Sequence, residues 1–370
     1  MPGSPRSKAG NEDAIKQAPP AGVNIAISEP AGVGFALTKT SRAFAARSDN
    51  EPQSYKEATA DSMKWRAAIK SELNSHIENG TWEAGKLPPG RHDISSKGVF
   101  KTKVNADGSL CYKARLVVRG FEQRAGLDYQ ETFAPVPKFP TLRVLLALAA
   151  PFDWDIHHMN VKTAFLYPVI KETVNMTPPE GYSKFLPVHK PIPKMLKLLK
   201  CLYGLKQALF EWYNHIVEFL RSAGFARSNQ DHNRYLSPES IVLLYVDDIL
   251  IFGLSLSPVT ALKKSLSARY SMVELGAAKQ YLGMHIERDR DARTIYLNQT
   301  RSITKILERF DMQDCKGIST QREAAALPTY PTDPAKAFKR TEYQSKVGNV
   351  MYAMLGTRPD LTFAVTALSK

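Results

Sequence analysis

The stretch Ile241-Val242-Leu243-Leu244-Tyr245-Val246-Asp247-Asp248-Ile249-Leu250-Ile251-Phe252 sets two adjacent carboxylates between two apolar, strand-forming runs. Such runs around a short polar step predict a β-hairpin with the aspartates at its tip. Buried without partners, the two charges would be costly. A solvated turn, which Asp favours, is one answer. A divalent-metal site is the other, because Mg²⁺ prefers hard oxygen ligands and usually takes one or two carboxylates. Two such ions can clamp the attacking and leaving oxygens of a phosphoryl displacement, and holding both requires a third carboxylate from a neighbouring strand.

Outward from the hairpin, Leu209 to Ala223 predicts a long helix stopped by Gly224. Trp154 to Val161 predicts a strand, and Leu142 to Ala150 a buried helix. Val99 to Val104 and Tyr112 to Val118, joined by Asn105-Ala106-Asp107-Gly108, predict a second hairpin. Trp65, Ile69, Leu73 and Ile77 recur every four residues, an amphipathic helix that Asn79-Gly80 ends. Residues 1–50 are rich in Ala, Gly, Ser and Pro and predict a disordered leader. Strands and helices interleave without a strict βαβα period, so the expected fold class is α+β.

At 370 residues the chain can bury a sizeable core. A formal charge of +14 suits a polyanion partner, since neutralised phosphates release counterions, although a merely basic protein has the same composition. Cys111, Cys201 and Cys315 are far apart, which excludes a zinc ribbon or disulfide frame and implies reduced thiols in an intracellular protein. No apolar run reaches the roughly 18 residues of a membrane span, and no secretory h-region begins the chain. The expectation is therefore no membrane and no secretion.

Tyr245-Val246-Asp247-Asp248 resembles the YVDD motif of reverse transcriptases, and longer blocks follow the order of the Ty1/copia retrotransposon family. These are Tyr112 to Phe121, Glu131 to Val136, Val161-Lys162-Thr163-Ala164-Phe165-Leu166, Leu202-Tyr203-Gly204-Leu205-Lys206-Gln207-Ala208, Tyr281 to Met284 and Thr357 to Leu361. The resemblance covers the chain from about Glu51 onward. It implies a right-hand polymerase: residues 51–153 as N-terminal segment and fingers, 154–290 as palm with inserted fingers elements, and 291–370 as a partial thumb or connection. The chain is expected to stop before any ribonuclease H region.

The same resemblance implies Asp247 and Asp248 as metal ligands for two Mg²⁺ ions, with Mn²⁺ a possible substitute. Lys113, Arg115, Phe165 and Gln207 would meet the incoming deoxynucleoside triphosphate, Phe165 by excluding a ribose 2′-hydroxyl. Gly204, Lys206 and Tyr245 would lie at an RNA template and DNA primer. Self-association, other polyprotein products as partners, and a cytoplasmic virus-like particle or nucleus as location are further implications. Trp212 and Tyr213 are expected to pack the helix, and His157 and His158, on opposite strand faces, are given no role.

One position departs where it matters. The family's palm block opens with Asp, and here Asn160 stands in its place. Asp155 cannot substitute, being five residues and roughly 16 Å away along a strand. Leu209-Phe210, Tyr167 to Ile170 and Gly98 depart as well, and Gly98, where the family has Trp, is expected to leave unfilled space. Three readings follow: a polymerase of lowered activity, a non-catalytic nucleic-acid-binding remnant, and a degenerate frame with no stable product.

Overall fold

The structure, a computed structural model, describes residues 25–27, 51–60, 63–104, 109–185, 191–317 and 340–369. Its centre is a six-stranded sheet in the order Met272–Ala277, Asp155–Val161, Asp248–Gly253, Ser240–Tyr245, Arg234–Leu236, Ala226–Arg227. Every neighbouring pair is antiparallel. The mixture of helices with this sheet is the α+β arrangement expected.

The period of two along these strands divides the core between the two faces. Met159, Val161, Val242, Leu244, Ile249 and Ile251 pack on helices Ala208–Ser222 and Leu256–Arg269. Ile156, Leu243, Leu250 and Phe252 meet helix Phe139–Ala149 and a smaller sheet on the other side. Leu243 and Leu250 are fully buried, each contributing about 1.5–3 kcal/mol in transfer from water. Because both faces are covered, the apolar runs around Asp247 are nearly continuous rather than alternating with polar residues.

The smaller sheet contains Gln280–Tyr281, Met284–Asp289 and Thr294–Asn298. Its edge strand also pairs in parallel with Ile25–Ile27. That corrects the expectation of a leader without structure for these three residues, since the ladder there supplies their backbone groups with partners; the rest of residues 1–50 lies outside the described residues.

The second hairpin forms from Ser96–Val104 and Leu110–Val118, paired from Ser96↔Val118 to Val104↔Leu110. Its expected turn, Asn105–Gly108, lies outside the described residues. Helix Met63–Glu78 lays Trp65, Ile69 and Leu73 on Phe100 and Ala114 of this hairpin. The fourth buried position is His76, and Ile77 is 45% exposed, contrary to expectation. At 3.6 residues per turn a four-residue repeat drifts round the helix, so the eleventh residue after Trp65 falls on its stripe better than the twelfth. Gly80, at φ 58°, ends the helix with Thr81 N–H bonded to the His76 carbonyl and Gly80 N–H to that of Ile77.

The space expected beside Gly98 is largely occupied. An added Cβ would meet Cζ of Phe100 at 2.6 Å, because the Phe100 ring, two residues on, folds over the glycine. A cavity of about 40 Å³ remains between this strand and helix Met63–Glu78. Helices Thr300–Arg309, Arg340–Gly356 and Thr362–Leu368 close a separate small core around Leu307, Val350 and Val365. Among the described residues no helix is long and apolar enough to cross a membrane.

Candidate active site

Tyr245 and Asp248 pair directly, so Val246 and Asp247 are the two residues of the hairpin loop. Val246 has φ 53°, a left-handed conformation that a β-branched residue adopts only under constraint. The constraint comes from outside the hairpin. Trp212 Nε1 donates to the Val246 carbonyl at 2.7 Å, and Val161 N–H donates to the Asp247 carbonyl at 2.8 Å. Trp212 is buried as expected, and beyond packing it fixes the tip that carries the carboxylates. Tyr213 is buried too, its hydroxyl donating to the His232 carbonyl.

Register decides what faces the tip. Asp248 sits opposite Asn160 on the adjacent strand, with His158 two residues before Asn160 and therefore on the same face. Asn160 Nδ2 donates to Asp248 Oδ1 at 2.9 Å, and His158 Nε2 lies 3.1 Å from the same oxygen. His158, given no role from sequence, thus contacts the site. The missed signal was its two-residue spacing from Asn160 along one strand. His157 points to the other face, 3.3 Å from Lys263 Nζ. Asp155, paired with Gly253 at the far end of the strand, is held by Arg290 at 2.6 Å.

Burial, and next the charge of Asp248, push the Asp247 carboxyl above the usual range for Asp; a backbone hydrogen bond, the Asn160 amide and the Arg115 guanidinium oppose the rise. Two half-buried acids with excess negative potential form a place for a cation. Among the described residues, no three His, Cys, Asp or Glu side chains converge as a metal-holding group. The donors present, two carboxylates and one amide, suit one hard divalent ion and fall one negative charge short of a three-carboxylate set.

The other expected residues divide into two groups. Arg115 lies over the Tyr203 ring at 5.0 Å, and its charge reaches Asp247. Phe165 packs edge-on against the same Tyr203 ring, with centroids 4.8 Å apart. Lys113, two residues before Arg115, is exposed, and partial burial followed by the Arg115 and Lys103 charges lowers its ammonium pKa. Lys206 is exposed and Tyr245 half-buried. Arg115, Tyr203 and Phe165 therefore form one wall leading to Asp247.

Gln207 and Gly204 both make their contacts within the chain. Gln207 is fully buried, donating to the Asp128 carbonyl at 2.8 Å and Glu172 Oε2 at 3.1 Å while accepting from Gln123 Nε2 at 3.0 Å. Its amide is spent inside the chain. Gly204, at φ 96°, makes a close approach to the neighbouring hairpin, for a Cβ there would lie 2.0 Å from the Val118 carbonyl oxygen. Val118 N–H donates to the Tyr203 carbonyl at 2.8 Å, tying the second hairpin to the loop before helix Ala208–Ser222.

Residues 79–324 match the family model described as reverse transcriptase (RNA-dependent DNA polymerase). The chain is 39% identical to the Pol polyprotein of transposon TNT 1-94 from Nicotiana tabacum over 87% of its length and 25% of that protein's. It is 37% identical to that of transposon RE1 from Arabidopsis thaliana, over 92% of this chain and 23% of the relative. A transposon Ty5-1 protein of Saccharomyces cerevisiae is 30% identical over 57% of this chain and 68% of its own length. The chain thus spans about a quarter of the plant polyproteins it matches. A solved foamy viral protease-reverse transcriptase in complex with double-stranded DNA overlaps 75% of this chain and 39% of its own at 13% identity, and its TM-score of 0.36 adds nothing to the assignment. The chain belongs to the reverse transcriptase (RNA-dependent DNA polymerase) family, as the reverse-transcriptase region of a retrotransposon polyprotein.

Proposed function

We propose that this chain is an RNA-directed DNA polymerase whose nucleotide addition is lowered by Asn160. The carrying observation is the hairpin tip, where Asp247 and Asp248 are held on a rigid sheet with an amide where the third carboxylate of the Ty1/copia pattern belongs. The central sheet then serves as palm, the hairpin Ser96–Val118 as fingers, and the helices after residue 300 as part of a thumb or connection. Asp247 and Asp248, with Asn160 beside them, would hold Mg²⁺ or Mn²⁺. Such a cation, one or a pair, neutralises charge at the transferring phosphate and favours attack by a primer 3′-hydroxyl on a deoxynucleotide α-phosphate.

Arg115 and Lys113 project from alternate positions of one strand and would neutralise triphosphate oxygens. Phe165, braced by Tyr203, would set the width of the sugar site. With one negative ligand fewer, the site binds its cation more weakly and positions phosphate less firmly. Primer extension on an RNA template, run with this protein and its Asn160→Asp variant, is the test. About a hundredfold or greater gain in the variant is expected, the size of a lost electrostatic contact at a transition state. Equal rates would sink the impairment.

The non-catalytic remnant is favoured by one observation, that Asp248 Oδ1 already has both Asn160 and His158 as neighbours. On that reading RNA–DNA hybrid binds and neither protein extends a primer.

A further inference from the structure

The three side chains gathered at Asp248 differ in kind from an all-oxygen magnesium set. His158 and Asn160 are two residues apart on one strand, and Asp248 is directly across from Asn160 on the next. Two positions of one strand plus a facing residue converge on a single point above the sheet. Two donors bound to the same ion at right angles, each about 2.1 Å away, stand about 3.0 Å apart. The separation of 3.1 Å from His158 Nε2 to Asp248 Oδ1 matches that spacing, and the Asn160 amide, whose Nδ2 donates to the same oxygen at 2.9 Å, brings its own oxygen there by a half-turn of the amide. The imidazole is also oriented, edge-on to the buried Tyr281 ring with centroids 5.6 Å apart. An oriented ring keeps its ligating nitrogen in place.

We propose that His158, with Asp248 and the Asn160 amide oxygen, makes this a mixed nitrogen–oxygen site that prefers a transition-metal dication such as Mn²⁺ over Mg²⁺. The inference rests on the polymerase reading of the hairpin tip and deepens it by naming the cation class. Imidazole suits first-row transition metals and gives little to Mg²⁺, which takes oxygen ligands and keeps its waters. With such an ion bound, His158 would ligate it through Nε2 and carry its hydrogen on Nδ1, and the Asn160 amide would present its oxygen. The two neighbours that hold Asp248 without metal thereby become its co-ligands. The absence of a carboxylate at position 160 and the presence of an imidazole at 158 then act together on the site's preference between metals.

The test is Mn²⁺ titration of the full chain followed by electron paramagnetic resonance, with Mg²⁺ as competitor. Pulsed spectra of the bound ion should show coupling to a ¹⁴N nucleus, absent from the His158→Gln protein. The same substitution should weaken Mn²⁺ binding by about tenfold or more and leave Mg²⁺ affinity within about twofold, the pattern of losing a ligand only one metal uses. Circular dichroism checks that the variant folds, and Asn160→Asp provides a second comparison, in which Mg²⁺ should compete more strongly. Bound Mn²⁺ without nitrogen coupling, or no Mn²⁺ bound, overturns the proposal. Primer extension separates the two readings. Extension by a site that lacks nitrogen coupling removes the imidazole ligand and keeps the polymerase. Nitrogen-coupled Mn²⁺ without extension by this protein or by Asn160→Asp does the reverse.

Discussion

Replacing Asn160 by Asp changes two things before any metal arrives. The amide that donates to Asp248 Oδ1 at 2.9 Å is lost, and a third negative charge joins two carboxyls of which one is already raised by burial and by its neighbour. Losing a partly buried hydrogen bond of this kind costs about 1–3 kcal/mol. The metal-free Asn160→Asp protein should therefore melt below the parent, and millimolar Mg²⁺ should recover more stability in the variant, because binding to the folded state alone stabilises it by mass action. Thermal melts with and without Mg²⁺ read this without any nucleotide, and a variant that melts higher in the absence of metal would refute it. The aspartates were legible because adjacent charges in an apolar run have few explanations, and Asn160 because the Ty1/copia palm block that its segment resembles opens with Asp. His158 was not, since its contact with Asp248 depends on which residues face each other across two strands 90 residues apart in sequence. The setting of Gln207 was hidden for a related reason. A polar residue in a glycine-containing loop predicts exposure, and only the packed structure shows its amide sealed between Gln123, Asp128 and Glu172.

Among elements, helices and strands could be foreseen where periodicity and stop signals agreed, as in helices Met63–Glu78 and Ala208–Ser222 with Gly80 and Gly224 at their ends. The four-stranded sheet of Trp82–Gly85, Met195–Leu198, Asn175–Met176 and Asp93–Ile94 could not, because strands of two to four residues carry no usable period. Two glycines separate local from tertiary demands. Gly224 has φ 87° with open space around it, so Gly224→Ala should cost only the left-handed backbone, about 1–2 kcal/mol. Gly204 combines φ 96° with a Cβ position 2.0 Å from the Val118 carbonyl oxygen, so Gly204→Ala should cost about 2–6 kcal/mol. Urea midpoints give the comparison, and equal losses would remove the close approach from the argument. Acid behaviour belongs to this scale as well. Glu122 accepts from Ser95 N–H at 2.6 Å and from the Ser95 hydroxyl, tying the start of one hairpin strand to the turn after the other. The backbone bond chiefly holds its carboxyl below the ordinary 4.5. A lowered folded value means the contribution is present above pH 4.5 and disappears as pH falls through that lowered value. Glu57, Glu131 and Asp360 are depressed too, so the informative quantity is a difference. Glu122→Gln should melt below the parent at neutral pH, and the gap should close on acidification below 4.5; a gap independent of pH would contradict this assignment.

For the whole molecule, the basic excess could be counted in the sequence, but its placement needed the fold. Exposed Lys206 follows the loop in which Gly204 abuts Val118, exposed Arg119 lies next to that contact, and exposed Lys162 stands two residues beyond Asn160. Segments far apart in the chain thus present exposed cations, two of them beside the contact that ties the second hairpin to the loop before helix Ala208–Ser222 and one just beyond Asn160. A formal charge of +14 spread evenly would give weak attraction to any polyanion, whereas charges converging near a site neutralise several phosphates of one ligand at once. The two cases differ in the slope of affinity against salt, which counts counterions released. With about six phosphates neutralised, affinity for an RNA–DNA hybrid should fall about a thousandfold between roughly 50 and 200 mM salt. The triple substitution Arg119→Ala, Lys162→Ala, Lys206→Ala should flatten the logarithmic slope by about three if each side chain meets a phosphate. Fluorescence anisotropy across a salt series measures both slopes. Parallel lines for parent and variant would show that the charge acts from elsewhere on the surface, and that these three side chains do not meet the phosphates of the hybrid.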